Sequence, residues 1–223
     1  MNSEYLDRNL ALEAVRVTEM AALSSSLHMG RGNEEAAAQS AVNAMRNFLN
    51  NLMISGKVVI GEGERDKAPM LYIGEEVGKG GPKVDIALDP LEGTTITAQG
   101  GENALSVLAM GEEGSFLHCP DIYMHKIAFG KNYQDLDIDP NEPYDIILRK
   151  FSQFANIKIE NVVVCTLDRP RHSELITCIR STGARIKLIP DGDVSAVIAT
   201  SIEGSGIDMY MGIGGSPEGV LGA

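Results

Sequence analysis

Cysteine is scarce in this chain: Cys119, Cys165 and Cys178 are the only three, far apart and without CxxC spacing. So sparse and odd a set argues against a disulfide framework and points to a reducing compartment. Cys165 lies in the apolar run NVVVCTL and reads as core filling, with a catalytic thiol as the remote alternative. Histidine is thin as well; His28, His118 and His125 show no metal-ligand spacing. His172, beside Arg171, reads as a surface or capping residue and not as a general base. Positive charge is in deficit, with 19 Lys and Arg against 31 Asp and Glu and a net charge of −12. That balance disfavours nucleic acid or an anionic membrane as partner and suits a cation-binding site. An anionic substrate would then need a few local basic groups or a metal. No apolar run is long enough to span a bilayer, and MNSEYLDRNL has none of the character of a signal peptide, so a soluble, cytoplasmic protein is expected. Internal repeats and low-complexity tracts are lacking too.

What is present is a globular composition: 223 residues, 43% of them hydrophobic, enough for one large domain or two small ones. Residues 4–24 carry Leu6, Leu10, Val17 and Met20 at near-helical spacing. Residues 34–53 carry a second stripe of Ala38, Val42, Met45, Leu49 and Leu52. Between them lies HMGRGN, whose two glycines and one arginine are a weak phosphate-loop signal. From residue 57 the pattern changes to short strands, KVVIGEGE, VDIALD, ALSVLAMG, NVVVCTLD and ARIKLI, interleaved with helical stretches at 143–155, 173–182 and 194–201, before IDMYMGIGG and the closing SPEGVLGA. Alternating elements of this kind predict a layered α/β fold. Polar clusters fall where strands end, at GEGERD, DPLEGT, DRPRH, PDGDV and GGSPEG. Such ends are where layered α/β folds build sites.

The stretch DIALDPLEGTT, residues 85–95, is the most telling. Alternation places Ile86 and Leu88 on one face and Asp85, Ala87 and Asp89 on the other, and Pro90, lacking an N–H, is expected to end the strand. Asp89 and Glu92 flank the resulting turn, Gly93 lets backbone approach a ligand, and Thr94 offers a hydroxyl. Hard divalent cations want several oxygen ligands, and Glu62, Glu64, Asp66, Asp85, Asp89, Glu92 and Glu218 are the candidates. Any single acid in a Gly/Pro loop is most often a solvated turn residue. An Asp inside a strand, repeated acid–glycine punctuation and a hydroxyl alongside shift the balance toward a site.

These segments, GRGN, VVIGEGERDKAPMLYIGEEVG, DIALDPLEGTT, CPDIYMHK, DRPRH, IPDGDV and MGIGGSPEGV, resemble in order the motif series of the class II fructose-1,6-bisphosphatases, the GlpX family. Its cyanobacterial members also take sedoheptulose 1,7-bisphosphate. DPLEGT resembles the signature of the wider lithium-sensitive, metal-dependent phosphatases. The resemblance implies a layered α/β sandwich and Mn²⁺ or Mg²⁺ held by Glu62, Asp89, Glu92 and Glu218. It implies that Asp66 and Thr94 position and activate the attacking water. It gives Glu92, Gly93 and Thr94, then Tyr123, Arg169, Pro170 and Arg171, then Asp191, Gly192, Asp193 and Gly215 to the sugar bisphosphate. Two arginines bracketing Pro170 are planar forks suited to phosphate oxygens.

The chain departs from the family pattern at two positions, Ala38 standing where the pattern has a metal-binding Asp and Glu34 where it has a Lys. The family also continues past Ala223, so the C-terminal part of its fold is expected to be missing here. The expected domain is residues 1–223, with an N-terminal portion of about 1–155 and the start of a second layer at about 156–223. An uncovered sheet favours a homo-oligomer. The leading reading is metal-assisted hydrolysis of the 1-phosphate of fructose 1,6-bisphosphate. The alternatives are a catalytically impaired relative that binds sugar phosphate or metal, and, more remotely, an inositol-phosphate phosphatase.

Overall fold

Small side chains decide how the first two helices meet. In α1 (Ser3–Ser26) the inward face carries Val17, Ala21 and Ser25, and in α2 (Glu34–Leu49) it carries Ala37, Ala41, Met45 and Leu49. The helices approach closely enough for the Ser24 and Ser40 hydroxyls to hydrogen-bond at 2.6 Å. Asn33 opens α2 by accepting the Ala36 N–H on its side chain, and Glu34 and Glu35 in the first turn complement the helix dipole. The expected helix to residue 53 ends at Leu49; Leu52 is buried all the same, in the turn that follows. The computed structural model describes residues 3–61 and 71–223, with side chains from residue 10 onward, so the expectation for Leu6 falls outside it.

The described chain divides into two compact units, Met1–Pro120 and Asp121–Ala223. In the first, α1 and α2 cover one face of a mixed sheet formed by β1 (Ser55–Ile60), β2 (Glu76–Val77), β3 (Lys83–Glu92) and β4 (Leu105–Glu112), in the order β2-β1-β3-β4. β3 runs parallel to β1 and antiparallel to β4. Val84, Ile86 and Leu88 point into the helical core as the alternation requires. Asp85 and Ala87, on the other face, are buried too. Pro90 does not end the strand, contrary to expectation: β3 continues to Glu92. Pairing with β1 stops at Ile60 opposite Ala87, and the register with β4 slips between Asp89 and Glu92. Pro90 therefore sits in a bulge and, among the described residues, beyond the pairing with β1, where a missing N–H costs no ladder bond.

In the second unit, β5 (Tyr123–Phe129), β6 (Val163–Leu167), β7 (Arg185–Ile189) and β8 (Met209–Gly215) form a sheet in the order β5-β8-β6-β7. β6 is parallel to both β7 and β8, and β5 is antiparallel to β8. Alternation along the strands feeds two cores. Val164, Met209 and Met211 join α4 (Tyr144–Ala155) and α5 (Ser173–Thr182) on one face. Cys165 and Tyr210 join Ala196 of α6 (Asp193–Thr200) on the other. The class is α/β, as expected, but the sheets are mixed and not parallel throughout. The short α3 (Thr94–Gln99), α7 (Ser216–Gly222), β2 and β5 have no counterpart in the sequence reading. No helix among the described residues is long and apolar enough to cross a membrane.

Phe151 is fully buried at the centre of the α4 core, edge-on to Tyr133 at 4.9 Å and tilted against Phe129 at 6.3 Å. Truncation to Ala removes those contacts and leaves a cavity. Phe151→Ala is expected to lose about 3–5 kcal/mol of stability, measured by urea unfolding.

Candidate functional site

In the first unit the polar groups gather where β3 ends. Asp89 is half-buried, and one of its carboxylate oxygens accepts the Leu91 N–H at 3.0 Å, which fixes the side chain against the bulge. Glu92, the last strand residue, is only 5% exposed. Gly93 follows with φ of 98°, a left-handed conformation that an L side chain resists, and a Cβ there would sit 3.3 Å from Ala104. That turn starts α3 at Thr94, which is half-buried. The HMGRGN loop is pinned beneath the far end of α3: Gly30 N–H donates to Thr97 O at 2.9 Å and Gly32 N–H to Ala98 O at 2.8 Å. With both glycine amides engaged, the loop ties the end of α3 to the start of α2, and those two amides are not available to a phosphate. Ala38 is half-buried in the first turns of α2, on the shoulder of a core stripe that runs Ala37, Ala41, Met45 and Leu49. Glu62, Glu64 and Asp66 lie outside the described residues. Among the described residues no group of three or more His, Cys, Asp or Glu is arranged to hold a metal ion.

The second unit brings its predicted residues together by topology. Because β6, β7 and β8 are parallel, their carboxyl ends share one sheet edge, and antiparallel β5 begins there. That edge collects Arg169, Pro170 and Arg171 after β6, Asp191, Gly192 and Asp193 after β7, Gly215 and Glu218 after β8, and Tyr123, which pairs with Gly215. β6 leads to α5 on one face, whereas neighbouring β8 leads to α7, which packs with α6 on the other. Adjacent strands that exit to opposite faces leave a crevice at their carboxyl ends, the usual place for a ligand in an open α/β sheet.

His172 stands in that fork. Its Nε2 accepts the Ile213 N–H at 2.8 Å, which leaves Nδ1 to donate to Leu167 O at 2.8 Å. The ring is fully buried and stands in for ladder bonds that β6 and β8 do not make, so it is not a surface residue; His172 occupies the N-cap position of α5, but its side chain makes no capping hydrogen bond. Arg171 lies alongside, its Nε donating to Ile213 O at 2.8 Å and its guanidinium 5.0 Å above the ring of Tyr123, itself 64% exposed. No ion pair holds Arg171 among the described residues, and its terminal nitrogens are directed by this backbone bond and this ring. Arg169, by contrast, reaches Asp191 at 3.4 Å.

Asp193 opens α6 almost fully buried. Its Oδ2 receives Lys126 Nζ at 2.7 Å and the Tyr210 hydroxyl at 3.2 Å. Burial first, then the Asp193 charge, push the Tyr210 hydroxyl well above the ordinary tyrosine range, so it remains a donor. Lys126 and Tyr210 were not singled out from the sequence; a lysine and a tyrosine inside apolar alternation carry no distinguishing signal. Glu218 sits in the first turn of α7, and its Oε2 is buried with no hydrogen-bond partner among the described residues. A Cβ on Gly215 would fall 2.0 Å from that oxygen, so only glycine lets the carboxylate lie against the backbone there. A buried carboxylate oxygen left without a donor suits a cation.

The second unit thus gathers arginines and acids at the carboxyl edge of an open α/β sheet, where folds of this kind place their ligands. Residues 8–223 match the family model described as "Bacterial fructose-1,6-bisphosphatase, glpX-encoded". The chain is 49% identical over 217 residues to fructose-1,6-bisphosphatase 1 class 2 of Escherichia coli strain K12, covering 97% of this chain and 64% of that protein. The fructose-1,6-bisphosphatases class 2 of Escherichia coli O6:H1 and of Shigella flexneri match with the same identity and coverage. This chain belongs to the glpX-encoded bacterial fructose-1,6-bisphosphatase family. It spans 64% of the length of the curated relatives it matches.

Cys165 is fully buried in the α6-side core, and burial, partly offset by the charge of Lys187, raises its thiol to about 11. At pH 8 it stays protonated and unreactive. Iodoacetamide at that pH is expected to leave Cys165 unlabelled in the folded protein and to label it in 6 M-range guanidinium; rapid labelling of the folded protein, read by peptide mass, would reverse this assignment.

Proposed function

We propose that this protein hydrolyses the 1-phosphate of fructose 1,6-bisphosphate, giving fructose 6-phosphate and phosphate. The observation that carries the reading is the single sheet edge of the second unit, where two strands exit to opposite faces between Arg171 and Glu218. The family to which the chain belongs supplies the substrate, and relatives of greater length bear the name of the activity.

Arg171, aimed by Ile213 O and the Tyr123 ring, presents its terminal nitrogens to phosphate oxygens as a fork. The Asp191–Asp193 turn, with Gly192 in it, would meet the sugar hydroxyls, Asp191 from its more open side and Asp193 by anchoring the turn from within, and Gly215 would let the chain pass close to the substrate. By the family resemblance, Glu62, Asp89, Glu92 and Glu218 are the carboxylates that would hold a divalent metal, Mn²⁺ or Mg²⁺. The buried Oε2 of Glu218, without a donor among the described residues, and the buried Glu92 suit that task. When bound, such an ion neutralises phosphate charge and lowers the pKa of a water. Asp66 takes the proton of the attacking water and the Thr94 hydroxyl orients it for in-line displacement of the sugar oxygen. Protein and sugar bisphosphate meet as enzyme and small-molecule substrate, without nucleic acid or membrane, in a homo-oligomer.

Phosphate release with Mn²⁺ is expected from fructose 1,6-bisphosphate at a far higher rate than from inositol monophosphate. Equal rates would move the protein to the wider phosphatase class. Ala38→Asp is expected to raise the rate by about tenfold, as a restored carboxylate would; an unchanged rate would remove residue 38 from the metal-binding side of α2.

Removing one charge-assisted hydrogen bond to a phosphate costs about 1.5–3 kcal/mol, so Arg171→Met is expected to raise KM by roughly ten- to a hundredfold. Arg171→Lys should recover only part, because a lysine lacks the fork and the flat face that rests on Tyr123. Steady-state kinetics on the three proteins check the order.

A further inference from the structure

Lys126 is a charged side chain on β5, a strand that the sequence did not mark. On β5 it pairs with Gly212, with Ile127 and Phe129 on the opposite face in the α4 core. Its side chain is 5% exposed, and its ammonium is 2.7 Å from Asp193 Oδ2. The Tyr210 hydroxyl reaches the same oxygen from β8. The glycines of MGIGGSPEG are the space this network occupies. A Cβ on Gly212 would lie 2.7 Å from the Tyr210 hydroxyl oxygen. On Gly214 it would lie 2.7 Å from Asp193 Oδ2 and 3.2 Å from Lys126 Nζ, and on Gly219 it would lie 3.4 Å from Lys126 Cε. One ammonium thus stands against three elements: the start of α6 that follows Asp191 and Gly192, the end of β8 at Gly214, and the α7 turn that carries Glu218.

We propose that Lys126 is a positioning residue, which acts through Asp193 to hold the Pro190–Asp193 turn at the sheet edge in the conformation that receives the sugar. The inference deepens the phosphatase reading and rests on it for the identity of the ligand, but not for the tether itself. A buried carboxylate stripped of its cation must find other donors or move toward water. In this place moving means carrying Asp191 and Gly192 with it. Lys126 touches neither the phosphate nor the reacting atoms, so its loss weakens sugar binding and leaves the chemical step largely intact.

The test uses the full chain in three forms: wild type, Lys126→Met, which keeps the length without the charge, and Tyr210→Phe, which removes the second donor and keeps the ring. Backbone hydrogen exchange without substrate is expected to speed up by about tenfold at Gly192–Val194 in Lys126→Met, with α4 amides unchanged. KM for fructose 1,6-bisphosphate should rise about tenfold with kcat within about threefold, and calorimetric affinity for fructose 6-phosphate should fall in step. Tyr210→Phe should move the same readouts in the same direction by less. Exchange at Gly192–Val194 that matches wild type, or a fall in kcat with KM unchanged, overturns the proposal. If Lys126→Met does not fold by circular dichroism, Tyr210→Phe decides, and no change in its exchange or KM overturns it as well. A wild type that turns over no bisphosphate sinks the phosphatase reading, while the exchange arm still decides the tether.

Discussion

Between β6 and β8 only two residue pairs hold the ladder, Val164 with Met209 and Cys165 with Tyr210. Beyond them the strands part, because β6 must turn toward α5 and β8 toward α7 on the other face. The gap exposes backbone groups that would otherwise be buried without partners, and the His172 ring closes it by accepting from Ile213 N–H and donating to Leu167 O. The imidazole bridges the two strands where their ladder ends. Arg171 owes its position to the same place, since its Nε takes the carbonyl of the residue whose amide His172 holds.

The glycines of β8 follow from what is packed against them more than from backbone strain. Gly214 and Gly215 stand in ordinary extended regions, yet a side chain at either would collide with a carboxylate, Asp193 at one and Glu218 at the other. Acids seated this close to a backbone are held by steric fit as well as by charge. A buried ion pair such as Lys126 with Asp193 is weak evidence for stability, because desolvation of both groups opposes their attraction. Its value lies in geometry: it ties a strand to the first turn of a helix at a defined distance.

The sequence showed most where a period could express itself. α5 runs over Ser173–Thr182, the stretch the pattern marks, and α1, α4, β4 and β7 fall within two residues of expectation. What stayed hidden has physical reasons. YMHKIAF alternates correctly as β5, but Lys126 disguises its inward face, since a lysine is read as exposed until its partner across 67 residues is known. α3 and α7 are too short for periodicity and sit in glycine-rich context. Pro90 broke a local rule because the neighbouring strand ends at Ile60, a fact of pairing that no local window contains. His172 looked like a surface residue because its polar neighbours are sequential and its hydrogen-bond partners are not. Among the site residues, the grouping of those in the second unit at one edge follows from parallel strands that the sequence marked as strands but could not order.

Charge gives the last constraint. The chain carries a net charge of −12, and of the three cations near the carboxyl edge of the second sheet two are already paired, Arg169 with Asp191 and Lys126 with Asp193. Arg171 alone among them has no carboxylate partner in the described residues. A single guanidinium set among acids does not create a field that draws in a bisphosphate. The buried Oε2 of Glu218, without a donor, deepens the deficit at the same edge. Acids seated at spots cleared by glycine would be balanced if a divalent cation completed the charge at this edge. On the phosphatase reading proposed above, the acidic composition and an anionic substrate would be two aspects of one arrangement, in which the protein supplies negative ligands and one well-aimed fork and the positive charge would arrive with the metal.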